Sequence, residues 1–137
     1  MTVIVRDAGF TADDWTGGYA ALGTANDAEA LDVPSDTDPA QVPISATLKM
    51  IRIEFPSSAD GRGFTIARAL RLRGYTGRLR AHGHVLADQY AMARRAGFDE
   101  IEIDNALASR QPQDQWISRA NWQDHDYQHR LRGKVSA

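Results

Sequence analysis

KMIRIEFPSSADGRGFTIARALRLR, residues 49–73, decides the fold. Apolar and polar residues alternate from Met50 to Phe55, the period of a strand with two unlike faces, and Pro56 stops it. A polar loop with two glycines follows. Beyond it, Phe64, Ala67, Leu70 and Leu72 fall near one side of a helix over 64–73, with Arg68, Arg71 and Arg73 on the rest. Gly74 is placed to end that helix in the left-handed conformation. The stretch is one β/α unit.

On the C-terminal side the unit repeats. Residues 77–83 (GRLRAHG) alternate as a strand, 88–96 predict a helix closed by Gly97, and 100–104 (EIEID) predict a short strand. Crossovers of this length join parallel strands, and they are nearly always right-handed. On the N-terminal side, 29–33 predicts a strand. Thr37 or Asp38 with Pro39 predicts a capped helix over 40–48, made short or irregular by Pro43. Val3-Ile4-Val5 reads as a short strand, and 7–26 as irregular, broken by Asp13-Asp14 and Gly17-Gly18. So few β/α steps cannot close an eight-stranded barrel. The expected fold is α/β: a single domain of repeated β/α units whose mainly parallel sheet is covered by helices, with a partial barrel-like β/α arrangement as the alternative. The α/β domain is placed at 1–104, its core units at 29–104. Residues 105–137 carry Trp116, Trp122 and Tyr127 among Gln, Asp, His and Arg, which predicts a C-terminal tail, helical or partly mobile, that docks through its rings.

The 137 residues suit one domain, and 42% hydrophobic with 25% charged residues are ordinary globular values. No apolar run approaches the ~18 residues of a membrane span, and the N-terminus lacks a basic, then apolar, leader. A cytoplasmic protein without a membrane partner is expected. The absence of cysteine excludes disulfides, thiol nucleophiles and cysteine-held clusters. The cofactor stays unassigned, and any electron carrier is borrowed or organic. The net charge of −2 hides an asymmetry: residues 62–95 hold eight arginines and no lysine, against Asp88 alone, while ten acids lie in residues 1–60. Guanidinium suits bidentate pairing with oxyanions. The plainer reading is a solvated helical face paired with the acidic N-terminal third. A pI of about 6.0 and the lack of aromatics between these arginines argue against nucleic acid.

Asp60-Gly61-Arg62-Gly63 lies between a strand and a helix, where parallel α/β sheets bind ligands and where free N–H groups with a guanidinium suit an anion. It matches neither a phosphate-binding P-loop nor a complete G-x-G-x-x-G. The competing reading is a turn whose Arg62 pairs with Asp60 or Asp88. His82-Gly83-His84 puts two imidazoles on one side of a strand end, a weak metal pair lacking a third ligand fixed by spacing; Asp60, Asp88, His125 and His129 are the options, and no metal is assigned. Asp88-Gln89 opens the next helix, with Asp88 read first as its cap.

The runs 54–60, 61–73, 77–85, 88–89 and 94–99 resemble the bacterial domain-of-unknown-function family 934, over about residues 31–104. Members of that family are labelled oxidoreductases or accessory proteins of sulfite reduction. The label comes largely from genes beside the sulfite-reductase haemoprotein. The resemblance implies an anion-facing rim of Asp60, Arg62, Thr65, Arg80, Asp88 and Gln89, and establishes no catalytic residue. Ser57-Ser58, His82, His84 and Ala96 depart from the family pattern, and Ala96 stands where a cysteine is common, so this chain cannot use that thiol.

The expectation is an accessory protein of assimilatory sulfite or sulfate reduction that binds a small anion or the reductase through this rim. Its ligand-binding candidates are Asp60, Gly61, Arg62, Gly63, Thr65, Arg80, His82, His84, Asp88 and Gln89. The expected partners are sulfite reductase or another sulfur-assimilation enzyme. One alternative is a small oxidoreductase with a bound flavin or nicotinamide. A second is a metal-assisted enzyme using His82 and His84. Trp116 to Tyr127 also offers a docking surface for another subunit, hence a homo-oligomer.

Overall fold

A computed structural model describes residues 2–23 and 28–125. Among these residues seven strands form one sheet. In chain order they are β1 (Thr2–Arg6), β2 (Gly9–Thr11), β3 (Ala20–Ala21), β4 (Ala30–Val33), β5 (Met50–Phe55), β6 (Arg78–Gly83) and β7 (Glu100–Asp104). The helices are α1 (Arg62–Leu72), α2 (Tyr90–Ala96), α3 (Asn105–Arg110) and α4 (Gln113–Ile117). The strand order is β2-β1-β7-β6-β5-β4-β3. From β3 to β7 every neighbour is parallel, while β1 runs antiparallel to both β7 and β2. The sheet is open and mostly parallel, as the β/α pattern requires. Among the described residues no helix is long and apolar enough to cross a membrane.

Each step from β3 to β7 advances one strand in the same direction, so crossovers of one hand put their helices on one face. That face takes one parity of each strand: Leu31 and Val33, Ile51, Ile53 and Phe55, Leu79 and Ala81, Ile101 and Ile103. Ile66, Ala67 and Leu70 of α1, with Tyr90 and Ala93 of α2, pack onto it. Each Val, Leu, Ile or Phe among them gains about 1.5–3 kcal/mol on burial. Phe55 is the centre of the contact, its ring 4.9 Å from that of Phe64 and 5.8 Å from that of Phe98. Leu72, expected on the buried side of α1, is 78% exposed. It lies about 200° around the helix from Leu70 at 3.6 residues per turn, and Ile66 takes the buried place instead.

Two N-terminal expectations are corrected. The helix predicted over 40–48 is only a 3-10 turn at Pro39–Gln41. Asp38 caps it as the sequence implies, its Oδ1 accepting from Ala40 N at 3.0 Å. Val42, before Pro43, is extended, since a proline disfavours helix in the residue ahead of it. The segment read as irregular over 7–26 contributes β2 and β3; its residues 24–26 lie outside the described residues. In the tail, α3 and α4 fold back on the domain, and Trp116 is fully buried with its ring 6.2 Å from Tyr90, edge to face. Tyr127 lies outside the described residues.

Candidate functional site

The loop between β5 and α1 is closed by its own charges. Asp60 accepts from Arg62 three times: Oδ1 from the backbone N at 3.1 Å and from Nε at 3.0 Å, Oδ2 from Nη2 at 2.7 Å. Arg62 Nη2 also donates to Ser35 Oγ at 3.0 Å. These bonds, side chain first and then backbone, hold the Asp60 carboxyl well below the usual carboxylate range. The anion at the start of α1 is therefore the chain's own. Gly63 has a packing reason as well: a Cβ there would sit 2.5 Å from Cζ of Phe55. Gly61 precedes the helix without such a constraint, and Thr65 is exposed on its first turn.

Gln89 clips two loops together. Its Oε1 accepts from Leu86 N at 2.9 Å and its Nε2 donates to Ser58 O at 2.9 Å. Asp88, expected first as a helix cap, instead pairs with Arg119 at 2.7 Å and is 82% exposed. Asp60 and Asp88, each held by a different arginine, do not form a carboxylate pair.

The second face of the sheet was not anticipated. Register sets Asp32 beside Arg52 beside Arg80 beside Glu100, and His82 beside Glu102. Arg52 gives Nε and Nη2 to Asp32 at 2.6 and 2.9 Å and Nη1 to Glu102 at 3.1 Å. Arg80, fully buried, gives Nε to Glu100 at 2.6 Å and Nη1 to both Glu102 and Asp13 at 3.0 Å. Arg78 and Arg6 reach Glu100 from either side, at 2.7 and 3.1 Å. Over this lattice lies the irregular segment 12–19, where Tyr19 stacks under the Arg52 guanidinium at 3.8 Å and accepts from Arg80 Nη1 at 3.1 Å. The sequence held a signal for it: β6 puts arginines at 78 and 80 where β7 puts glutamates at 100 and 102, and opposite charges on neighbouring strands attract.

At the carboxyl ends of the parallel strands this face opens into a cleft of about 700 Å³. His82 and His84 line it together, along with Arg52, Glu54, Asp104 and Arg110. Arg80 stands one layer behind, joined to His82 through Glu102, whose Oε2 is 3.6 Å from His82 Nε2. Asp60, Gly61, Arg62, Gly63, Thr65, Asp88 and Gln89 lie outside the lining, so the predicted rim divides into a clipped outer loop and a histidine-lined cleft. Gly83, between the histidines, has φ +124°, and a Cβ there would lie 2.5 Å from Phe55 O. Burial, then the charge of Arg52, keeps His82 below its ordinary pKa and hence neutral near pH 7. Exposed Arg110, at the end of α3, has no carboxylate within salt-bridge distance among the described residues. Sequence reading passed over Arg52, Glu54 and Arg110, the last because α3 lay in the presumed tail. Among the described residues no group of three or more metal-ligating side chains converges. Such a cleft can hold an anion between guanidinium and imidazole donors.

No curated protein and no solved structure matches the chain. The profile of the family described as "Bacterial protein of unknown function (DUF934)" matches residues 30–137, from β4 through both β/α units and α3 and α4. The cleft-lining strands β4 to β7 all fall inside the match, and the chain belongs to this bacterial family of unknown function.

Proposed function

We propose that the protein is an accessory of assimilatory sulfite reduction that holds a small sulfur oxyanion in the cleft at the strand ends. The observation that carries the site is Arg110, a guanidinium without a carboxylate partner among the described residues, facing the same cleft as His82 and His84. Ligands of open parallel sheets bind beyond the carboxyl ends of the strands, and bonds from charged donors to an oxyanion are the stronger class. The pathway comes from the family resemblance. Arg62 and Asp60 hold the outer loop in register, and Gln89 fastens it to the next one.

Calorimetric titration with sulfite, sulfate, adenosine phosphosulfate and sulfite reductase tests the reading. Binding of at least one of them, lost in Arg110→Ala and weakened in His84→Ala with the fold intact, is expected. Heat from none of the four overturns it. The size of the cleft favours a second reading, because about 700 Å³ falls within the usual range of organic-ligand pockets, about 300–1,000 Å³. That reading is a small oxidoreductase holding a flavin there. A yellow protein with a stoichiometric flavin by mass spectrometry would replace the first reading with it.

A further inference from the structure

Asp14 lies on the segment 12–19, and its Oδ1 is shared by three guanidiniums: Arg78 Nη2 at 2.9 Å, Arg6 Nη2 at 3.0 Å and Arg80 Nη2 at 3.6 Å. The last nitrogen is the telling one. It is fully buried, has no hydrogen-bond partner among the described residues, and points at an oxygen too far away to satisfy it. An arginine pays desolvation for every donor left in this state. The Asp14 carboxylate is thus an incomplete occupant of a three-arginine cradle.

The segment that brings it is suited to leave. Residues 12–19 form no helix or strand, and none of them belongs to the buried apolar core. Besides Asp14, its holds on the face are polar, Asp13 and Tyr19 on Arg80 and the Tyr19 ring against Arg52. The rest are its own: Trp15 Nε1 donates to Gly18 O at 2.8 Å, Trp15 N to Asp13 Oδ1 at 2.9 Å, and the Trp15 and Tyr19 rings lie 6.4 Å apart. Gly18, at φ +68° with open space around it, supplies a hinge. Segments held by few apolar contacts open at low cost. With the strap closed, the face sets four guanidiniums against five carboxylates; lifting Asp13 and Asp14 leaves an excess of one positive charge. A dianion restores the charge of the closed state.

We propose that the cradle of Arg6, Arg78 and Arg80 is a second anion site, distinct from the cleft, that takes a tetrahedral dianion of the phosphate or sulfate type when the strap carrying Asp14 lifts. A tetrahedral anion offers several oxygens, one of which can reach Arg80 Nη2. Asp14 acts as the tethered competitor.

Isothermal titration with inorganic phosphate, and separately with adenosine monophosphate, tests this at constant ionic strength. A tethered group competes at an effective concentration in the millimolar range, so Asp14→Asn is expected to raise phosphate affinity by about tenfold or more. Arg78→Met in the Asp14→Asn background abolishes the gain, while Arg110→Ala leaves it intact, which separates this site from the cleft. A gain with either probe supports the site, and the tighter of the two identifies free ion or phosphomonoester as its source. An Asp14→Asn protein that folds normally and binds both probes no better than the parent overturns the proposal. Hydrogen exchange of the unmodified protein gives a second reading that needs no variant: phosphate speeds exchange of amides 12–19 if the strap is displaced. Unchanged or slowed exchange there also overturns it.

Discussion

Alternate residues of β5, β6 and β7 go to opposite faces of one sheet, and the faces meet burial by different means. Ile51, Ile53, Phe55, Leu79, Ala81, Ile101 and Ile103 lie under α1 and α2, where removal from water stabilises without direction. Arg52, Arg80, Glu100 and Glu102 lie under a strap, where every group depends on the position of its partners. The first face tolerates exchange of similar shapes. The second binds the strands in register, and the loss of Arg80, Glu100 or Glu102 is costly there because each leaves a buried ion without its partner. Apolar packing and ionic pairing thereby fall on separate faces, and the cleft opens on the ionic one.

The largest effect is expected on the apolar side. Phe55→Ala removes the ring that α1 and Phe98 pack against, and should cost about 3–5 kcal/mol in urea unfolding, the usual range for a buried Phe. A loss under about 1 kcal/mol would mean that the loop and helix re-seat without the ring. The ionic side answers with Arg80→Met, which strips one partner from Glu100 and one from Glu102 and should cost about 3 kcal/mol. The two faces diverge in the rescue. Adding Glu102→Gln to Arg80→Met should recover about 1 kcal/mol, a coupling between neighbours of the usual size. No second change of that kind repairs Phe55→Ala. Strictly additive losses at 80 and 102 would show that the Arg80–Glu102 pair adds no coupling energy of its own.

How much of this was legible follows from the same division. Period-two alternation in 50–55, 78–83 and 100–104, with helix spacing between, is enough to specify a parallel β/α sheet, since crossovers that short leave few topologies. Alternation does not say which face is covered by what. Strand charges usually face solvent, and only the pairing of β6 with β7, a long-range fact, reveals that Arg78 and Arg80 match Glu100 and Glu102. The strap was unreadable for another reason. Asp13-Asp14 and Gly17-Gly18 have the composition of a loop, and nothing local tells that Asp14 ends among three arginines. His82 and His84 were legible as a pair from their spacing at a strand end, and both line the cleft.

Acid should expose the ionic face before the apolar one. The Arg78 hydrogen bond, with that of Arg6 and the charges of both, lowers the Asp14 carboxyl to about 2 from 3.8. Its folded value lies below its unfolded value, so its contribution is complete above about pH 4 and disappears as pH falls toward 2. His82 is also depressed, by burial and then Arg52, so the folded state resists the proton that the unfolded chain accepts below 6.5, and its loss begins at the higher pH. Stability followed by denaturant midpoints should therefore decline in two stages. His82→Gln should flatten the first and Asp14→Asn reduce the second, to which the depressed carboxyls of Asp60 and Asp7 also contribute. An unaltered profile in Asp14→Asn would show that the strap carboxylate adds nothing to the closed state.

The smallest effect is expected at the pair that looked most like a ligand cradle. Arg62 is 60% exposed, and three of its four bonds run to Asp60, two residues away, with the fourth to Ser35, so the geometry is mostly local and water competes for the guanidinium. Arg62→Ala should shift the thermal midpoint less than any variant above. It should also leave sulfite binding in the cleft unchanged, because Arg62 does not line it. Asp60→Asn should act more on α1, whose first N–H group at Arg62 would lose its charged acceptor. If Arg62→Ala instead removes anion binding while Arg110→Ala does not, the site belongs to the outer loop. The ionic face would then be a structural layer only, and the division of labour between the two faces would fail at the point where it makes its functional claim.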